Sequence, residues 1–271
     1  MNGQVIVFTA ESLCALALMG CVSIEVTPPF MVKRAQMHMG TLVTVTAVAP
    51  MEEVAQQAVT TGFHEIHRLE EILSTWISAS DLSRVNAAAG REPVRVAPEA
   101  FLLIKRSLEM AALTEGGFNI AVGPAVEAWS VTERAHVPTA DELAGLKPLV
   151  DLGQVQLDEQ AGTVFLARPG MRIDVGGIGK GFAADRAAAA MQAAGATAGV
   201  VALSGDIKTF GRMPVGERFR FGIQHPRKEG TVLASLELEN EAISTAGDYE
   251  RYFERDGVRY HHILDPQTLQ P

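Results

Sequence analysis

Apolar and polar positions along the chain switch between strand-like and helical periods. Gly40 to Ala47 alternates β-branched residues and reads as a strand. Glu52 to Leu73 places Val54, Ala58, Ile66, Leu69 and Leu73 near helical spacing, which predicts an amphipathic helix. Ser80-Asp81 is an N-cap signal for a short helix reaching Asn86. Pro98 to Glu115 predicts a second long helix, with Pro at its start and Gly116-Gly117 as its stop. Thr139 and Glu142 have capping-box spacing. In the second half the pattern shortens. Strand-like runs fall at 163–167, 171–175, 199–204, 219–223, 231–238 and 258–264, with one helix, Gly181 to Ala194, among them. Helices early and strands late imply an α+β fold rather than alternating βαβ units. There is no internal repeat and no low-complexity linker.

Composition narrows the class. The chain has 271 residues and a formal charge of −9, which argues against a nucleic-acid binder. A mean hydropathy of +0.13 is too low for a multi-span membrane protein. Both cysteines, Cys14 and Cys21, lie in the first 21 residues, so a disulfide scaffold and a Cys-rich zinc site are excluded. Leu13 to Gly20 is apolar and small and ends at Cys21, the pattern of a bacterial lipobox. Against that reading, no Lys or Arg precedes the stretch and Glu11 sits at its edge.

Three segments carry candidate chemistry. Arg172 to Asp185 (RIDVGGIGKGFAAD) runs from a strand-like stretch through a glycine turn into a helix, a shape that presents backbone N–H groups to an anion. It is neither a Walker A loop nor G-x-G-x-x-G, and a tight strand-to-helix connection explains it equally well. His261, His262 and Asp265 offer a metal site or a general base with its orienting carboxylate. On a strand the two histidines face opposite sides, so only one of them enters a given site. Glu115 to Trp129 is an apolar stretch broken by Gly-Pro, able to wall an aromatic ligand or simply to fill core. His64-Glu65-Ile66-His67 is one residue short of the H-E-x-x-H spacing. Ser204 lacks the first Gly of a nucleophile elbow.

Taken in order, these segments resemble the FAD:protein FMN transferases, the ApbE family. Met39-Gly40-Thr41, Leu73 to Trp76 with Ser80 to Asn86, Gly116 to Trp129, Asp174 to Asp185, Ser204 to Ile207, Thr245 to Tyr249 and His262 to Pro271 follow that family's motifs in register. The resemblance implies an ApbE-like, T-fold-related α+β domain over 32–271, with helices packed on mixed or antiparallel sheets, behind a signal segment at 1–21. It implies transfer of FMN from FAD to a Thr of a target flavoprotein through a phosphoester, with Mg²⁺ as cofactor and AMP released. The partners would be FAD and a subunit of an electron-transfer complex. The location would be the periplasmic face of the inner membrane, held by a lipid on Cys21. By motif position, Met39, Trp76, Gly117, Phe118, Asn119, Asp174, Lys180 and Leu264 would contact FAD. Gly177 would give a carbonyl to Mg²⁺. His262 would be the general base, with Asp265 as its orienting group.

The chain departs from the motifs at several places. Trp76 stands for the usual Tyr, Asn119 for Asp, Ser204 and Leu269 for Gly, and Ala246 for Ser. The sequence ends at Pro271, before the A-D-A-x-x-T segment whose Asp and Thr complete the family's Mg²⁺ site. Poor metal binding and impaired activity are therefore expected. FAD diphosphate hydrolysis and flavin binding without catalysis remain as alternatives.

Overall fold

The computed structural model describes residues 29–271 apart from 229. The lipobox falls outside these residues. In chain order the elements are β1 (Phe30–His38), β2 (Thr41–Ala49), α1 (Glu52–Leu73), α2 (Asp81–Ala87), β3 (Val94–Arg95), α3 (Pro98–Leu113), α4 (Gly123–Trp129), α5 (Ala140–Leu146), β4 (Val155–Asp158) and β5 (Thr163–Leu166). They continue with α6 (Gly179–Ala193), β6 (Ala198–Leu203), β7 (Asp206–Phe210), β8 (Phe219–Gln224), β9 (Val232–Leu238), β10 (Ala242–Ser244), β11 (Tyr252–Arg255) and β12 (Val258–His261). Among the described residues no helix is long and apolar enough to cross a membrane.

The main sheet has the order β1-β2-β6-β7-β10. Every pairing in it is antiparallel, with Val43 opposite Leu203 and Ser244 opposite Asp206. Two helices, α1 and α6, cover one face. Ala55, Ala58, Val59, Phe63, Ile66 and Leu69 of α1 are buried, as the helical period predicts. The buried line of α6 is mostly alanine (Ala183, Ala184, Ala187, Ala188), small enough for close packing beside α1. Gly62 of α1 faces Met191 of α6, and a Cβ there would lie 3.1 Å from the Met side chain. The same core takes in α2, α3 and the three-stranded sheet β3-β5-β4.

A second apolar cluster, Ala125, Trp129, Leu143, Val150 and Leu269, fastens the last residues of the chain. Trp129 Nε1–H donates to the buried Leu269 carbonyl at 2.7 Å. Two small hairpins, β8-β9 and β11-β12, complete the described fold.

Several elements differ from the sequence expectation. Residues 115–129 are not merely a broken apolar stretch, because Pro124 opens α4. A proline is tolerated there since the first helical N–H groups have no partner within the helix. The 171–175 run is extended, with Met171, Ile173 and Val175 buried in alternation, but it joins no sheet. Its backbone pairs with a side chain instead. Ile173 N–H donates to Asn86 Oδ1 at 2.8 Å, and Asn86 Nδ2 donates to the Ile173 carbonyl at 3.0 Å. Asp174 N–H completes the pairing on the Ile120 carbonyl. Gly123 lies so close to this segment that a Cβ would stand 2.6 Å from the Arg172 carbonyl oxygen. The 258–264 run stops at His261, and the 199–204 run at Leu203.

Candidate functional site

The sheet's register brings distant motifs to one end. The β1–β2 turn at Met39-Gly40 and the β6–β7 turn at Ser204-Gly205 lie on the same side, because Val43 pairs with Leu203. Ser244 closes β10 opposite Asp206, so the loop that follows emerges there too. Thr245 N–H donates to the Gly205 carbonyl at 3.0 Å. The first turn of α6 joins this end through Lys180, whose Nζ is 3.7 Å from Asp206 Oδ2.

The glycine turn is held by its own side chains. Asp174 Oδ1 accepts from Gly176 N–H at 2.7 Å, and Lys180 Nζ donates to the Gly176 carbonyl at 3.1 Å. Asp206 also accepts from Ser244 Oγ at 2.6 Å. Lys180 and Asp206 are each partly shielded, so the pair is a fixed charge arrangement and not a fully solvated contact. Phe118 borders the turn, since a Cβ on Gly177 would lie 3.2 Å from its ring. Phe118 N–H is fixed by Thr114 Oγ1, while Gly117 N–H donates to the Thr114 carbonyl.

His262 stands at the edge of this cluster. Its Nδ1 lies 3.2 Å from the Arg251 carbonyl, an acceptor only. That contact places the proton on Nδ1 and leaves Nε2 as the free base. Desolvation holds the imidazole below its ordinary value of 6.5, although part of the ring remains exposed. The hydrogen bond to Arg251 opposes this, and the nearby charges of Arg251, His261 and Lys180 add to it. A neutral imidazole at pH 7 follows. Nδ1 of His261 is buried with no hydrogen-bond partner among the described residues.

The remaining expected residues are placed as follows. Met39 occupies the β1–β2 turn at φ +49, and its N–H donates to Glu70 Oε1 at 2.6 Å. Trp76, in the loop after α1, is 79% exposed and offers an uncovered aromatic face. Asn119 places both ends of its amide on the backbone. Its Oδ1 caps Ala121 N–H at 2.7 Å, and its Nδ2 donates to the Val150 carbonyl at 3.0 Å. A carboxylate could make the first bond but not the second. Leu264 packs on the Trp129 cluster. Asp265 does not orient His262. Its Oδ1 accepts from Gln267 and Thr268 N–H, which builds the turn at 265–270. No role for Ser244, Arg251 or Glu70 was legible in the sequence. Only Ser244 had a local signal, its place just before the Thr245–Tyr249 motif.

A hard divalent cation prefers octahedral oxygen ligands. At the turn the described residues offer the Gly177 carbonyl and the carboxylates of Asp174, with one oxygen on Gly176 N–H, and of Asp206, with one oxygen on Ser244 and the other facing Lys180. The one group of three metal-ligating side chains among the described residues lies elsewhere. These residues do not close an Mg²⁺ cage.

An antiparallel sheet capped by two helices, with a glycine turn, a lysine and a histidine at one end, defines an α+β protein with a polar cluster at one end of its main sheet. The chain belongs to the ApbE family, whose model matches residues 39–271. Among curated relatives, an FAD:protein FMN transferase of Treponema pallidum is 37% identical over 88% of this chain and 70% of its own length. One of Klebsiella pneumoniae is 35% identical over 77% of this chain, which spans 65% of that relative. Among solved structures, the ApbE protein of Thermotoga maritima superposes with a TM-score of 0.82 at 30% identity, covering 89% of this chain and 78% of its own. The flavin transferase ApbE of Vibrio cholerae does so at 0.79 and 27%, covering 90% and 79%.

Proposed function

We propose that this protein is a flavin transferase that moves FMN from FAD to a threonine hydroxyl of a target flavoprotein, a subunit of an electron-transfer complex. The observation that carries the reading is His262, its Nδ1 held by the Arg251 carbonyl and its Nε2 left as the free base, near the Lys180 cation at a glycine turn. In this reaction Nε2 takes the proton of the threonine hydroxyl. The hydroxyl oxygen forms a bond to the FMN phosphorus. The bridging P–O bond breaks, and AMP leaves with the electron pair. Lys180 and the turn offset negative charge on the diphosphate. Met39, Trp76, Gly117, Phe118, Asp174 and Leu264 form the flavin-binding set in this proposal. Asn119 supports it by fixing the start of the Ile120–Val122 turn.

Mg²⁺ enters the proposal from the family resemblance, with Gly177 as its expected ligand. No step is assigned to it, and its binding to these residues is expected to be weak. Membrane attachment through a lipid on Cys21, at the periplasmic face, belongs to the same proposal.

The test is incubation of the full chain with FAD, Mg²⁺ and a flavoprotein domain bearing an acceptor threonine, read by intact mass. The expected result is an FMN-sized gain on the acceptor with AMP released, lost when the threonine is replaced by valine. AMP and free FMN with no gain would make the protein a diphosphate hydrolase. FAD bound unchanged would make it a flavin-binding protein without catalysis. Either overturns the proposal.

A further inference from the structure

His67, the residue left over from the failed H-E-x-x-H spacing, is not isolated. It lies on α1 one turn before Glu70, and both face His38 at the end of β1. One ligand atom from each of His38, His67 and Glu70 lies within 4.8 Å of the others. The two imidazole rings are 5.8 Å apart, centroid to centroid.

His38 sits among polar partners. Its Nε2 lies 3.1 Å from Gln36 Oε1, and its Nδ1 lies 3.3 Å from Glu70 Oε2. The Gln36 amide can turn to accept from Nε2 or donate to it, so it serves either tautomer. With Nε2–H given to Gln36, the Nδ1 lone pair, a Glu70 oxygen and a His67 nitrogen come together as three ligand atoms, and a metal ion uses all three. In a tetrahedral zinc site with bonds of about 2.0–2.1 Å, neighbouring ligand atoms are about 3.3 Å apart. Here the Nδ1 to Oε2 separation is 3.3 Å, and the His67 ligand atom lies within 4.8 Å of both, so a small closure of His67 would complete the set.

The surrounding contacts suit ligation. Gln36 holds the far nitrogen of His38, and Met39 N–H holds the far oxygen of Glu70 at 2.6 Å. Such outer contacts orient metal ligands. The ligands come from a paired strand and a long helix, which limits their movement. His67 is 60% exposed, so a water has access to a fourth position, and Glu71 lies nearby.

We infer that His38, His67 and Glu70 bind a divalent transition-metal ion, Zn²⁺ by donor set, at a site separate from the glycine turn. The ion would pin the β1–β2 turn to α1.

Calorimetric titration of ZnCl₂ into the chelator-stripped full chain tests this, with FAD and excess Mg²⁺ present. The chain carries Cys14→Ser and Cys21→Ser so that no thiol competes. One equivalent is expected to bind, with a higher Tm. His38→Gln and His67→Gln should each weaken binding at least tenfold, and His64→Gln, on the same helix, should not. His67 is exposed, so its variant stays informative even if His38→Gln folds poorly. No binding, displacement by Mg²⁺, or full affinity in His67→Gln overturns the site.

Discussion

Single residues explain where this chain departs from its family's motifs. Ser204 and Leu269 stand where the resemblance has glycine, and both are left-handed, at φ +55 and +61. Such a backbone costs about 1–2 kcal/mol for a residue with a Cβ. Leu269 offsets this by burying its whole side chain in the Trp129 cluster. Two variants separate these effects. Leu269→Ala keeps the strain and loses the packing, for an expected loss of about 2–5 kcal/mol. Leu269→Gly loses the packing too but relieves the strain. It should therefore unfold in urea about 1 kcal/mol later than the alanine variant, reversing the usual order of alanine over glycine. Equal midpoints would mean that φ at this position carries no cost.

His262 gives the second prediction at this scale. Its folded value lies below the unfolded 6.5, so the unfolded chain binds more protons there. Its contribution to stability is present above pH 6.5 and is lost as pH falls through the lowered value. The proposed transfer should follow the same sign. The rate should be flat near pH 7, with an acid limb whose midpoint lies below 6.5. His262→Ala should reduce the rate by about 10²–10⁴-fold and remove that limb, while FAD still binds. A limb that persists in the variant would assign it to another group.

Among the elements, those set by local chemistry were legible. The buried stripe of α1, the proline start of α3 and the Ser80 cap of α2 all depend on neighbours within one turn. Strands β1, β3, β4, β7, β10 and β11 were not legible. They are short, or have solvent on one side, and their partners lie far along the chain. Residues 171–175 show the limit most clearly. Their alternation is a true strand pattern, but the hydrogen-bond partner is the side chain of Asn86, 87 residues away. The site divides the same way. Lys180, Phe118 and His262 stood in motifs, whereas Arg251 and Glu70 act through contacts that only the folded sheet creates. Asn86→Ala should leave two buried backbone groups of Ile173 unpaired, at about 1–3 kcal/mol each. A total loss of about 2–6 kcal/mol is expected in urea unfolding. A loss under about 1 kcal/mol would mean that the apolar side chains alone hold the segment.

The whole molecule joins a charge of −9 to a candidate lipid anchor, and the anchor is open to a direct test. Expressed in a bacterium from residue 1, the protein is expected in the membrane fraction under the proposed anchoring. Cys21→Ser should move it to the soluble fraction without changing its folded core. A wild-type chain found wholly soluble would remove the anchor. The sheet has a further consequence, one of time. β2 pairs with β6, and about 150 residues separate them. At about 5–20 residues per second, a ribosome needs about 8–30 s to make that stretch. Throughout it the β1–β2 ribbon exists with one edge of β2 open and no partner yet synthesised. The central pairing of the sheet thus waits for a strand that begins only at Ala198. Slow folding, with a need for protection from association during synthesis, is written into the strand order.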